Sequence, residues 1–463
     1  MRPAGQASCH GRPEISRAIP DVFILAPFRV TAGFEPCPIS GYFRTRIESW
    51  LADHRAQDLV DEANPMDRKL SRPDVLGWID TELESLRRQG LGRQAVVRQG
   101  RQGAWIRLGG RRLINFGSND YLGLAADPRL ASAAATAIAD EGCGSGASPL
   151  ISGRSRSQEQ LERALAHFEG TEAALVFPSG YAANTGAVAA LVGPGDVVFT
   201  DRKNHASLLD GCRLSRADVR VYPHGDCDRL AALLANSGRY RRRLIVTDGL
   251  FSMDGDFAPL GELVELAERH GAVLLVDEAH ATGVWGTHGR GTAEFAGVED
   301  HVPVRVGTLS KALGSAGGFV AGSAKLVRWL IHRARPYVFS TAPPPAAAAA
   351  ATAALEVVRH EPHRREQLVA RAEALRRAIS AQGWNLGNSQ SQIIPVILGT
   401  AQRASAMAAR LRRRGLFVPA IRPPTVPDGQ ACLRISLTWS HTPEMLAQLS
   451  RALADLADRE PNG

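Results

Sequence analysis

Lys311 stands in the stretch VGTLSKALGSAGG, bedded in glycine, alanine and serine, in a chain that almost refuses lysine. Lys69, Lys203, Lys311 and Lys325 are the only lysines among 55 basic residues, and the rest are arginine. A guanidinium stays protonated and forms no imine, so an amine kept at such a place points to covalent or proton-transfer chemistry. In AVLLVDEAHATGVWG, Asp277 closes an apolar run and His280 follows it. A carboxylate at the end of a buried strand is costly unless it meets a cation. By itself Asp277 could equally cap the next turn. Together, amine, carboxylate and imidazole are expected to converge at the carboxyl edge of one sheet, where ligands of open α/β folds collect.

That trio suits pyridoxal phosphate, which takes an amine for its aldehyde, an anion for its ring nitrogen and a donor for its phenolic oxygen. Small neighbours of Lys311 (Ala312, Gly314, Gly317 and Gly318) would let a ring and backbone approach closely. The phosphate needs its own cradle. In FPSGYAANTGAV, a strand is expected to end at Phe177, with Ser179, Gly180 and Tyr181 opening a helix whose N–H groups and dipole favour an anion. Thr308, three residues before Lys311, offers a hydroxyl to the same anion. His205, in DRKNHASLLDG, could stack on the ring. Ser179 could instead be a simple helix cap, and His205 an ordinary structural histidine.

The elements that must position these groups are legible. From residue 104 onward, AWIRLGGRRLINF reads as a hairpin about Gly109-Gly110. Short buried-looking strands then alternate with helical stretches: AALVFPSG, DVVFTD, VRVYPH, LIVTDGLFS, AVLLVDEAH, VRVGTLSK and GGFVAGS. Near-continuous Val/Leu/Ile runs of this length argue for a mostly parallel sheet covered on both faces. PPPAAAAAATAALEVV reads as an Ala-rich helix opened by proline. QIIPVILG and CLRISLTW read as strands of a smaller C-terminal domain. Four segments are expected: an irregular extension over 1–65, a helix and hairpin over 66–115, a large cofactor-binding domain over 116–345, and a small domain over 346–463. Met66 stands just before the first good helical pattern and is a candidate start of translation.

Bulk properties exclude several classes. At 463 residues with 44% hydrophobic and 22% charged residues, the chain reads as a multidomain globular protein. The net charge of +8 comes from scattered arginines without interleaved aromatics, so nucleic acid is not an expected partner. No run approaches the roughly 18 to 20 apolar residues that cross a bilayer. Six cysteines show no zinc-type spacing and read as reduced thiols of a cytoplasmic protein, with no metal expected.

NFGSNDYLGL, PSGYAANTGAV, DRKNHASLLDG, LFSMDGDFAPL, VDEAHATGVWG, TLSKALGSAGG and IRPPTVPDGQACLRISLT occur in an order that resembles the α-oxoamine synthases. These are pyridoxal-phosphate acyltransferases of the aspartate-aminotransferase-like fold (fold type I): an α/β fold with a mostly parallel central sheet and a smaller α+β C-terminal domain. The resemblance runs from about residue 75 to 455. It implies that Lys311 carries the cofactor and later moves the α-proton, with His205, Asp277 and His280 completing the catalytic set. It puts Asp277 on the pyridinium nitrogen, His280 and Ser252 on the phenolic oxygen, and His205 on the ring face. Gly180 and Tyr181 would line the cofactor pocket, with Thr308 on the phosphate. Asn119 and Arg434 would orient an amino-acid carboxylate, with His205 beside it; Thr425 and Arg93 would meet the acyl substrate.

IRPPTVP is most like the branch of this family that condenses L-alanine with a pimeloyl thioester, carried by coenzyme A or an acyl carrier protein. The resemblance also implies a homodimer. Pro149 and Gln158, in GCGSGASPLISGRSRSQEQLE, depart from the family pattern and bear on acyl-chain preference. Spacing alone leaves open the branches that use glycine or serine. A non-enzymatic cofactor-binding regulator is disfavoured, because residues 1–65 carry no helix-turn-helix pattern.

Overall fold

The computed structural model describes residues 74–457, so the extension anticipated over 1–65 and the start of the segment after it lie outside the described residues. The described residues from Leu76 onward form one compact unit. Helix α1 (Trp78–Arg88) forms in the first expected helical stretch, with Asp80 in its first turn and Arg87 and Arg88 in its last. Those charges oppose the ends of the helix dipole. After a short strand β1 (Arg98–Gln99), the hairpin of β2 (Trp105–Leu108) and β3 (Arg111–Asn115) turns on Gly109 and Gly110. Both glycines have positive φ, 55° and 76°, which a two-residue primed turn demands.

Helices α2 (Pro128–Glu141) and α3 (Arg156–Glu169) then lead into a seven-stranded sheet. Its strands and connections run β4 (Ala173–Phe177), α4 (Gly180–Leu191), β5 (Val197–Asp201), α5 (Ala206–Ser215), β6 (Asp218–Tyr222), α6 (Cys227–Ala235), β7 (Arg243–Asp248), α7 (Leu260–Arg269), β8 (Val273–Asp277), β9 (Val304–Thr308) and β10 (Gly318–Gly322). The spatial order is β4-β10-β9-β8-β7-β5-β6. β10 alone runs against its neighbours, antiparallel to both β4 and β9. The other six therefore point the same way and end along one edge. Except in the edge strand β6, where Val219 and Val221 are exposed, the apolar runs that announced these strands are largely buried, as a sheet covered on both faces requires.

Helix α8 (Ala324–Arg333) and the Ala-rich α9 (Pro345–His360), which does begin on proline, precede α10 (His363–Ser380). The last part comprises β11 (Ile393–Gly399), α11 (Ala401–Arg413), β12 (Leu416–Phe417), β13 (Ala420–Ile421), β14 (Ala431–Ser436) and α12 (Pro443–Ala457). β14 lies between β11 and β13 in an antiparallel sheet, the smaller C-terminal layer that was anticipated. The sequence did not announce the position of β12. It adds to the N-terminal hairpin, with Leu416 opposite Ile114 in a parallel pairing. One apolar core runs from Ile114 and Phe116 through α9 and α10 to β11 and β14.

Candidate active site

Three neighbouring parallel strands each end in an aspartate: Asp201 on β5, Asp248 on β7 and Asp277 on β8. Asp248 and Asp277 are paired in register and both are buried. Burial, reinforced by the Asp277 carboxylate beside it, pushes Asp248 well above the usual carboxylate range, so it keeps its proton. Asp277 accepts from Asn184 Nδ2 at 2.6 Å and from the Ala279 N–H at 2.9 Å.

Lys311 follows β9 by three residues and enters the same cavity of about 190 Å³, lined also by Asp277, His280, His205, Thr308 and Gly180. Burial brings the Lys311 amine down to about 8, although the carboxylate of Asp277 pulls the other way. Its Nζ lies 2.8 Å from His280 Nε2, and His280 Nδ1 lies 2.6 Å from Tyr121 Oη. Burial first, then the nearby Lys311 and Arg434 charges, hold His280 well below its ordinary value, so the ring is neutral. Tyr121 is raised by burial and stays a phenol. The result is a short relay of neutral hydrogen-bonding groups that ends on a reactive amine.

His205 caps the N-terminus of α5. Its Nδ1 accepts from the Ser207 N–H at 3.3 Å and sits 2.7 Å from Ser207 Oγ, which places the ring proton on Nε2. Asn184 ties this ring to the carboxylate, because its Nδ2 donates both to Ser207 Oγ at 2.9 Å and to Asp277. A close helix approach makes the tie possible. A Cβ at Gly211 of α5 would lie 3.3 Å from Asn184 O on α4.

The helix start read in the sequence as an anion cradle borders the same cavity. Ser179 caps α4 by accepting from the Ala182 N–H, and Ser179, Gly180 and Tyr181 at the helix start line the cavity. Thr308 Oγ1 donates to Gly317 O at 3.0 Å and lies 2.9 Å from Ser310 Oγ. A Cβ on Gly318 would sit 2.4 Å from Gly180 N, so only glycine lets β10 pass the helix start. Tyr181 stands half-exposed at the rim, its hydroxyl donating to Asp210.

Asn119, Arg434 and Ser252 adjoin this cavity as a second cluster. Arg434, buried on β14, donates from Nη1 to Asn119 Oδ1 at 3.0 Å and from Nε to Ser252 O at 2.5 Å. Its Nη2 is buried and has no hydrogen-bond partner among the described residues. An unpaired buried guanidinium nitrogen is expensive, and a substrate carboxylate would satisfy it. Arg93 and Thr425 do not join this cluster. They meet at 3.5 Å in a separate open cleft of about 300 Å³ that also holds Arg422 and Pro423.

Tyr121, Asn184, Ser207 and Asp248 were not singled out in the sequence. Asp248 carried the signal used for Asp277, since it closes LIVTD as Asp277 closes AVLLVD. Asn184 was, with Thr185, one of two adjacent polar residues in a largely apolar, buried helix. The donor set fits pyridoxal phosphate: an amine, a carboxylate and a glycine-lined helix start share one slot. No helix among the described residues is long and apolar enough to cross a membrane. The four described cysteines are free thiols.

This arrangement defines a class. The chain belongs to the aminotransferase class I and II family, whose model matches residues 111–453. Among solved structures, it is similar to a serine palmitoyltransferase of S. paucimobilis with bound PLP and myriocin. The TM-score is 0.79 at 33% identity, over 83% of this chain and 97% of that one. More narrowly, it is 53% identical over 391 residues to the 8-amino-7-oxononanoate synthase of Anaeromyxobacter sp. (strain K), covering 84% of this chain and 98% of the relative. The synthase of the same name from Citrifermentans bemidjiense is 48% identical over 79% of this chain and 95% of its own length. The solved Francisella tularensis 8-amino-7-oxononanoate synthase superposes with a TM-score of 0.66 at 28% identity, over 75% of this chain and 98% of that one.

Proposed function

We propose that this chain catalyses the decarboxylative condensation of L-alanine with a pimeloyl thioester, giving 8-amino-7-oxononanoate, CO2 and free thiol, a step of biotin biosynthesis. The observation that carries the reading is the slot itself. A buried amine at about 8 and a strand-end carboxylate share one cavity, with an unpaired guanidinium nitrogen beside it. The names of the relatives supply the reaction; the slot supplies groups suited to it.

Bound pyridoxal phosphate supplies an electron sink for a carbanion at the amino-acid α-carbon. Lys311 would hold that cofactor, and its amine would serve as the base that takes the α-proton. Asp277 would pair with the ring nitrogen and favour its protonated form. His280 and Ser252 would address the phenolic oxygen, His205 would lie on the ring face, and the start of α4 with Gly180, Tyr181 and Thr308 would receive the phosphate. Arg434 and Asn119 grip the alanine carboxylate, and the fixed guanidinium orients the α-carbon. Arg93 and Thr425, in their separate cleft, meet the acyl thioester. A homodimer working in the cytoplasm is part of the same reading, as is the division into a cofactor-binding domain over 116–345 and a small domain over 346–463.

The test mixes purified holoenzyme with L-alanine, glycine or L-serine and with pimeloyl-CoA, acetyl-CoA or palmitoyl-CoA, and follows free thiol. Turnover fastest with alanine and the pimeloyl thioester supports the reading. Turnover fastest with glycine or serine overturns it.

Two further outcomes are expected at the site. Arg434→Lys should raise KM for L-alanine about 10- to 100-fold with a smaller change in kcat, the size of a lost charge-assisted bond. Steady-state kinetics at varied alanine reads it directly. The second concerns the amine. In the apoprotein, Lys311 must lose its proton before it reacts with the cofactor aldehyde. Cofactor uptake followed by visible absorbance should therefore rise about tenfold per pH unit and level off once the pH passes about 8.

A further inference from the structure

His224 lies outside the reactive slot, on the loop between β6 and α6, yet both its ring nitrogens face carboxylates. Nδ1 is 3.1 Å from each oxygen of Asp201, and Nε2 is 3.0 Å from Asp256 Oδ2. Asp201 is the last residue of β5, and the turn after it delivers Lys203, Asn204 and His205. Asp256 closes the turn that carries Ser252. A second ion pair spans the same gap, Lys203 Nζ to Asp254 Oδ1 at 2.6 Å.

We propose that His224 is a positioning residue, its doubly bonded imidazole riveting the Ser252 turn to the strand end that carries His205. The reach of the rivet follows from what the turn touches. Ser252 O receives Arg434 Nε, and Gly255 O receives the Gln390 N–H. One imidazole thus couples the ring-stacking histidine, the Ser252 turn and the C-terminal layer that holds the carboxylate grip.

A neutral imidazole could donate to only one of the two carboxylates, so the geometry favours the doubly protonated ring. Burial alone would drive His224 down, but Asp201 and Asp256 outweigh it and raise it to about 9. The groups facing it are those two carboxylates and the Phe251 ring, edge-on at 4.4 Å, with the Lys203–Asp254 pair across the same gap. The Gly225 N–H shares Asp201 at 2.8 Å. Because the folded value lies above the ordinary 6.5, the contribution is complete below about 6.5 and is lost as pH rises through about 9.

The test rests on the proposed function for the identity of the cofactor and of the amino acid. Holoenzyme and its His224→Ala variant are compared by visible circular dichroism of bound pyridoxal phosphate and by spectral titration with L-alanine. The variant is expected to lose about half or more of the dichroic amplitude and to bind alanine about tenfold more weakly. Wild-type values for both in a folded variant overturn the proposal, even if its Tm has dropped. If His224→Ala does not fold, Asp256→Asn carries the test. A shift in the same direction supports the rivet, and unchanged readouts overturn it. A wild-type enzyme that differs from the variant as stated yet releases no thiol with alanine supports the rivet and overturns the function, so the two failures are told apart.

Discussion

Replacing Lys311 with alanine is expected to give a folded, colourless protein whose condensation rate falls by about 10³-fold or more. The loss is large because one amine serves twice, as the attachment point and as the base. No other amine among the described residues lines the slot. Lys311→Arg should be equally inactive although it restores the positive charge, since a guanidinium neither forms an imine nor gives up its proton. The fold should not suffer. A buried amine held at about 8 is a cost to the folded chain, and below that pH its proton is carried against burial. Tm of the apo form should therefore hold or rise on Lys311→Ala. A variant that keeps both its visible band and its turnover would refute the assignment of this lysine.

Asp277→Asn is the second large effect, about 10²- to 10³-fold in kcat, comparable to removing a preorganised charge from an active site. The substitution keeps the volume and leaves an oxygen for the Ala279 N–H, so it removes mainly the anion. Asp248 cannot stand in for it, because burial keeps that neighbour protonated. Single-turnover rates with alanine, together with the cofactor dissociation constant, separate lost chemistry from lost binding. Wild-type kcat in Asp277→Asn would show that the carboxylate does not face the ring.

Much of this was legible in one chain of letters because the fold is built from local signals. Seven apolar runs became the seven strands of the large sheet, and PPPAAAAAATAALEVV became a helix that begins on proline. Lys311, Asp277 and His280 were readable because each immediately follows or closes such a run. What could not be read was long-range. Nothing local says that β12 would pair with β3, nor that β10 would reverse and bring Gly318 against the start of α4. Tyr121 was hidden because NDYLGL sits in an irregular segment, where no periodicity tells which side chain points inward. Arg434 drew its role from resemblance; only its unpaired Nη2 in the folded chain gives that role a physical reason.

The pairing of Leu416 with Ile114 has a bearing on how the molecule is made. Asn119 and Tyr121 emerge early from the ribosome, but the strand that fixes their end of the sheet, and Arg434 beyond it, emerge only near the close of synthesis. Contacts so far apart in sequence form late and slowly. A nascent chain could thus assemble the anion cradle and the lysine well before it could hold an amino acid.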